Sequence, residues 1–120
     1  MTSPTANIID EAILDAYRAL QEPGQADVVT EFIDIFLEDL PARLGQLKTA
    51  VTNRDPKAVR SAAHALKGSG SSIGATRLAS VCNQLEALGR AGSVEGADQL
   101  VASAEVEATA AAGALQRLRK

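Results

Sequence analysis

The chain has 120 residues, a formal net charge of −3 and only Tyr17, Phe32 and Phe36 as aromatic side chains. That length holds one domain with a real core, but not a nucleotide-binding catalytic domain beside a second one. The acidic balance and the scarcity of aromatics provide neither the basic surface nor the stacking platforms that nucleic acid requires. No apolar run approaches the roughly 20 residues that span a bilayer, and residues 1–7 lack the basic and apolar regions of a signal peptide. The cytoplasm is therefore the expected compartment. A single cysteine, Cys82, excludes an internal disulfide, and with one histidine the usual zinc ligand sets cannot be assembled. Abundant alanine and leucine point to helices packed closely through small side chains.

Residues 1–7 are expected to form a disordered lead, followed by a single domain over 8–120. Asp10 is placed to cap a short helix of about ten residues carrying Ile13, Leu14, Tyr17 and Leu20, which Pro23-Gly24 ends. From about Gln25 to Asn53, the positions Val29, Phe32, Phe36, Leu40, Leu44, Leu47 and Val51 recur at three- and four-residue steps, a long helical seam. Pro41 lies inside it without a backbone donor, which predicts a kink or break near Asp39. Val28, Ile33, Ile35 and Leu37 widen the apolar face of the first half, so the N-terminal helix is expected to cover that side. Asp55-Pro56 is a strong start signal, an N-cap acceptor followed by proline at the first helical position. That helix runs to about Ile73, where Gly74 can stop it. Leu78, Val81, Cys82, Leu85 and Leu88 mark another helix ending near Gly89, with residues 89–93 as a turn. A last helix from about Val94 to Leu118 carries Ala97, Leu100, Val101, Ala104, Ala108, Ala111, Leu115 and Leu118, with Arg117, Arg119 and Lys120 at its negative dipole end. There is no alternating strand pattern and no internal repeat. The predicted fold is all-α, an antiparallel up-down four-helix bundle with a short extra N-terminal helix.

The chemistry concentrates in His64-Ala65-Leu66-Lys67-Gly68-Ser69. Its histidine, lysine and glycine share one face of a helix turn. An imidazole is a nucleophile near neutral pH, a lysine is a fixed cation, and a glycine leaves room for a bulky anion. Together they suit a histidine that carries a phosphoryl group. With residues about 100° apart, Val59, Ala62, Ala63, Leu66, Gly70 and Ile73 fall within about 60° of one direction and His64 roughly 140° from it, which turns the ring to solvent. Arg60 and Lys67 flank it, Ser71 and Gly68 lie beside it, and Lys57 is two turns earlier, a basic neighbourhood on an acidic protein. An exposed helix histidine alone is an ordinary surface feature. The glycines change that reading, because Gly68, Gly70 and Gly74 each weaken or end the helix by up to about 1 kcal/mol relative to alanine. Small residues that let another protein's active site reach the ring account for that cost.

Other chemistries find little support. The residues after Gly74 are Ala75-Thr76, without the lysine of a phosphate-binding loop, and no strand precedes them. Gly68-Ser69-Gly70-Ser71-Ser72 does not fit a nucleophile elbow. Cys82 lies on a helix stripe where core is expected, and nothing on its own turn lowers its pKa.

The run from His64 to Glu86, HALKGSGSSIGATRLASVCNQLE, resembles the histidine phosphotransfer (HPt) domain of multistep phosphorelays. The shared pattern is His64, Lys67, Gly68, Ser69, the Ile73-Gly74-Ala75 turn, and a stripe of Leu78, Cys82, Leu85 and Glu86. Phe36-Leu37-Glu38-Asp39, Arg43-Leu44 and the stretch from Asp55-Pro56 to Ala63 are similar as well, so the resemblance covers Glu31 to Arg90. Gly70 departs from it, since the family more often has serine or alanine there. The resemblance implies that Nε2 of His64 accepts a phosphoryl group from a receiver-domain aspartyl phosphate, or directly from a kinase domain, and passes it to a response-regulator aspartate. It also implies that Lys67 offsets charge on the phosphoryl oxygens and that Gly68 permits close approach. Lys57, Arg60, Ser71 and Arg77 are candidates for partner docking. No cofactor is implied on this chain, and magnesium is expected on the partner receiver domain. The expected partners are the receiver domains of a hybrid sensor histidine kinase and of a response regulator, with the chain itself a monomer. The alternative is a helical adaptor that binds a receiver or kinase domain without transfer. The pairing of His64 with Lys67 favours the relay.

Overall fold

The computed structural model describes residues 8–120, and the lead expected at 1–7 lies outside the described residues. The helices are α1 (Glu11–Ala19), α2 (Val28–Thr52), α3 (Pro56–Ser72), α4 (Thr76–Arg90) and α5 (Ala97–Leu118), and no strand occurs among the described residues. In chain order α2 packs on α3, α3 on α4, α4 on α5, and α5 back on α2, while α1 lies against α2. This is the antiparallel four-helix bundle with a short extra helix that the periodicity predicts. No helix among the described residues is long and apolar enough to cross a membrane.

Aspartates set three of the helix starts. The side chain of Asp10 accepts from the Ala12 amide, Asp27 from Thr30 and Asp55 from Ala58, each satisfying a donor left over in a first turn. The inner face of α5 is built from Ala97, Ala104, Ala108, Ala111 and Ala114, all buried, so its backbone comes close to its neighbours. α1 is stitched over the α3–α4 turn: the Asp10 amide donates to the Gly74 carbonyl at 2.8 Å, and the Tyr17 hydroxyl donates to the Ser72 carbonyl at 3.1 Å. At the other end of α1, Arg18 donates to both carboxylate oxygens of Asp27 and to the Leu118 carbonyl, tying the first helix to the last.

Four expectations are corrected. α2 runs unbroken through Pro41, which is solvent-exposed, and buried Phe36, Leu40 and Leu47 on either side hold one helix together. α4 ends at Arg90, close to where the spacing places its end, but Gly89 does not open the turn expected at 89–93 and lies buried in the last turn of the helix. A Cβ there would sit 2.5 Å from the Pro56 carbonyl oxygen and 2.8 Å from the Arg60 amide nitrogen, so α3 crosses α4 where no side chain fits. α5 begins at Ala97 rather than Val94, because Gly96 at φ +82° is left-handed and ends the preceding turn. The apolar face near α1 is also narrower than expected. Leu20 follows the helix and is 85% exposed, Ile35 is 57% exposed and uncovered, and Ile9 ahead of α1 takes a fully buried place instead.

Candidate functional site

α3 buries Val59, Ala63, Leu66 and Gly70, and this fixes which way the rest of the helix looks. His64 lies on the outer face with its side chain 71% exposed, as the helical wheel requires. One turn on, Gly68 has open space where its Cβ would stand. The hydroxyls of Ser69 and Ser72 donate back to the carbonyls of Ala65 and Gly68, so these polar groups are satisfied within the helix.

The organising group of the site comes from α4. The Glu86 carboxylate is almost fully buried, and three cationic or imidazole nitrogens converge on it. Lys67 Nζ lies 2.7 Å and His64 Nδ1 3.2 Å from Oε2, while Arg90 donates to Oε1 at 2.7 Å. The Lys67 hydrogen bond, aided by His64 and opposed by desolvation, holds this carboxyl down at about 2. An ionised carboxylate only accepts hydrogen bonds. Nδ1 of His64 must therefore carry the proton in this pair, which leaves the lone pair of the neutral ring on Nε2. The arrangement presents a tautomerically defined nucleophile on an open surface and backs it with a fixed negative charge.

The docking candidates divide. Lys57 and Arg60 line a cleft beside His64 together with Ser61, Glu86 and Arg90, and neither makes an ion pair among the described residues. Ser71 is exposed on the same helix. Arg77 is drawn instead to Glu107 of α5 at 2.9 Å and does not line that cleft. Lys67 is not the free cation that the sequence suggests, since its ammonium is engaged by Glu86. Cys82 is fully buried, and burial pushes its thiol up to about 12, which fits a core residue. On the other side of α3, Tyr17, Phe32, Ile35, Phe36, Leu66 and Ser69 border an apolar groove.

Glu86 enters the sequence pattern without a role at the site, and Arg90 carries no local signal. A signal for Glu86 was present. It is an acidic residue on the stripe of Leu78, Cys82, Leu85 and Gly89, where a charge is stable only with partners.

Comparison with known proteins follows the same lines. Residues 31–120 match the family model of the Hpt domain. The chain is 38% identical over 68 residues to Histidine-containing phosphotransfer protein 5 of Arabidopsis thaliana, a match that covers 54% of this chain and 43% of that protein. It is 28% identical over 110 residues to Histidine-containing phosphotransfer protein 2 of the same plant, covering 86% of this chain and 70% of that one. The match thus spans less than half the length of the first relative. The crystal structure of histidine-containing phosphotransfer protein B (HptB) from Pseudomonas aeruginosa PAO1 is similar at a TM-score of 0.85 and 29% identity, over 98% of this chain and 96% of that one. With the bundle, the exposed His64 and a family match that takes in α3, α4, α5 and most of α2, the chain belongs to the Hpt domain family.

Proposed function

We propose that this protein is a phosphorelay intermediate in which Nε2 of His64 accepts a phosphoryl group from a receiver-domain aspartyl phosphate, or from a kinase, and passes it to a response-regulator aspartate. The observation that carries this reading is the pairing of Nδ1 with the buried Glu86 carboxylate, which leaves Nε2 as the nucleophile. As the N–P bond forms, the P–O bond to the donor aspartate breaks and the donor leaves as a carboxylate. The ring, which keeps its Nδ1 proton, becomes positively charged, and Glu86 stabilises that charge. Lys67 offsets the phosphoryl oxygens, and Gly68 leaves space for the group and for the partner. Magnesium on the partner receiver supplies charge neutralisation on the donor side.

Lys57 and Arg60 steer an acidic receiver toward the ring, and Ser71 lies in its path. Arg77, neutralised by Glu107, is left out of that surface. The protein acts as a monomer in the cytoplasm. A non-transferring adaptor would have no use for an imidazole oriented by a buried carboxylate, so the site favours transfer over that alternative.

Incubation with phosphorylated receiver domains, followed by intact-mass measurement at neutral or basic pH, tests the reading. The expected result is one phosphoryl group on the parent protein, lost in acid and stable in base, and none on a folded His64→Gln variant. A base-labile, acid-stable product on Ser69, Ser71 or Ser72 overturns it. Lys67→Ala is expected to retain the label on His64 but to acquire it more slowly.

A further inference from the structure

Lys67 and His64 approach the same oxygen of Glu86, and that geometry creates a difficulty for transfer. The two ring nitrogens point to opposite sides of an imidazole. A lysine held at the Nδ1 side is thus on the wrong side of the ring for a phosphoryl group on Nε2. To reach the phosphoryl oxygens, Lys67 must leave Glu86. If nothing else held the carboxylate, its departure would strip a nearly buried charge of its shortest contact to Oε2, and the side chain would be free to turn away from His64.

Arg90 is placed to prevent this. It reaches Glu86 from the next turn of α4 and binds the other oxygen, Oε1, at 2.7 Å, so its contact does not compete with Lys67 or His64. Its own side chain is 55% exposed, which leaves the contact in place without burying a second charge. We propose that Arg90 is a positioning residue for phosphotransfer: it holds Glu86 while Lys67 passes from the carboxylate to the phosphoryl group. Throughout the step Nδ1 keeps its proton and its bond to Oε2. Lys67 changes partners without gaining or losing a proton. This inference rests on the phosphoacceptor reading of His64.

The test uses the whole protein with two donors, a phosphorylated receiver domain and phosphoramidate. Phosphoramidate needs no docking partner, since its own N–P bond breaks with release of ammonia as the bond to His64 forms. Arg90→Gln is expected to slow labelling of His64 about threefold to fivefold with either donor, the effect of a half-exposed charge pair. In 15N spectra of the unphosphorylated ring, the separation between the Nδ1 and Nε2 resonances is expected to shrink as the tautomer becomes less defined. Arg90→Lys is expected to restore both, and all variants to unfold at similar temperatures. Parent rates and parent ring resonances in Arg90→Gln overturn the proposal. So does slow labelling with unchanged ring resonances, because Arg90 then acts other than through Glu86. Failure of both donors to label His64 in the parent protein instead overturns the phosphoacceptor reading itself.

Discussion

Gly68 and Gly89 both lie inside helices, on α3 and α4, where glycine is less favourable than alanine by up to about 1 kcal/mol. Their surroundings are opposite. A Cβ at Gly89 would collide with backbone atoms of Pro56 and Arg60, whereas a Cβ at Gly68 would meet nothing within 4 Å. The inner glycine is therefore required by the packing of this chain. The outer one is required by no neighbour among the described residues, which supports the proposal that it serves what approaches from outside. A helix-weakening residue is informative about function only after its own neighbours have been ruled out as the cause, and here the two faces of one helix pair separate the cases.

Gly89→Ala tests the inner half of that comparison and has the largest expected effect on stability. The clash is with backbone, which a rotamer change cannot relieve, so the crossing of α3 over α4 must open. Overpacking of this kind costs about 1–3 kcal/mol, more than the helix propensity that alanine adds. Thermal unfolding is expected to fall by several degrees. An unchanged or raised midpoint would show that the crossing is looser than the 2.5 Å approach implies.

The same two positions mark how far the sequence could be read. Amphipathic spacing locates α1 to α5, and the wheel places His64 outside and Leu66 inside, because burial follows directly from the helical period. Gly89 reads locally as a stop, since its real cause is a residue of α3 distant in sequence. Pro41 reads as a kink or break because local rules omit the packing that carries α2 on through it. At the candidate site, the shared outer face of His64, Lys67 and Gly68 is legible from spacing alone. Glu86 and Arg90 are not, because their role depends on the register between α3 and α4, which no single-helix pattern contains.

Glu86 is where the inner and outer faces meet, one turn before Gly89 on α4 and in contact with His64 on α3. Its carboxyl is held at about 2, below the ordinary 4.5, chiefly by Lys67. Because the folded value is the lower one, its contribution to stability is complete above about 4.5 and is lost as pH falls toward about 2. Asp27, held at about 2 by Arg18 and Thr30, titrates in the same window, so the parent acid-unfolding curve sums at least these two groups. Glu86→Gln and Asp27→Asn are each expected to flatten the dependence of stability on pH across that range. Only Glu86→Gln is expected to alter the 15N resonances of His64. Denaturant melts at stepped pH would count against the role of Glu86 if its variant kept the parent slope.

Gly68→Gln is the smallest change in stability and the sharpest test of the outer face. Four residues after His64, position 68 covers the same surface of α3, and a side chain there extends into the open space that the proposed transfer assigns to the phosphoryl group and the docking partner. Nothing in this chain opposes the substitution, since the site is open and glutamine is the better helix former by about 0.5 kcal/mol. The variant is therefore expected to unfold at a slightly higher temperature while accepting phosphoryl groups from a receiver more slowly than the parent. Opposite signs of the two effects are what distinguish access from packing: Gly89→Ala lowers stability because the chain itself needs the space, and Gly68→Gln raises it because only a partner does. A Gly68→Gln protein that is more stable and fully active in transfer would remove the access explanation. The open position on α3 would then have no cause on either side of the surface.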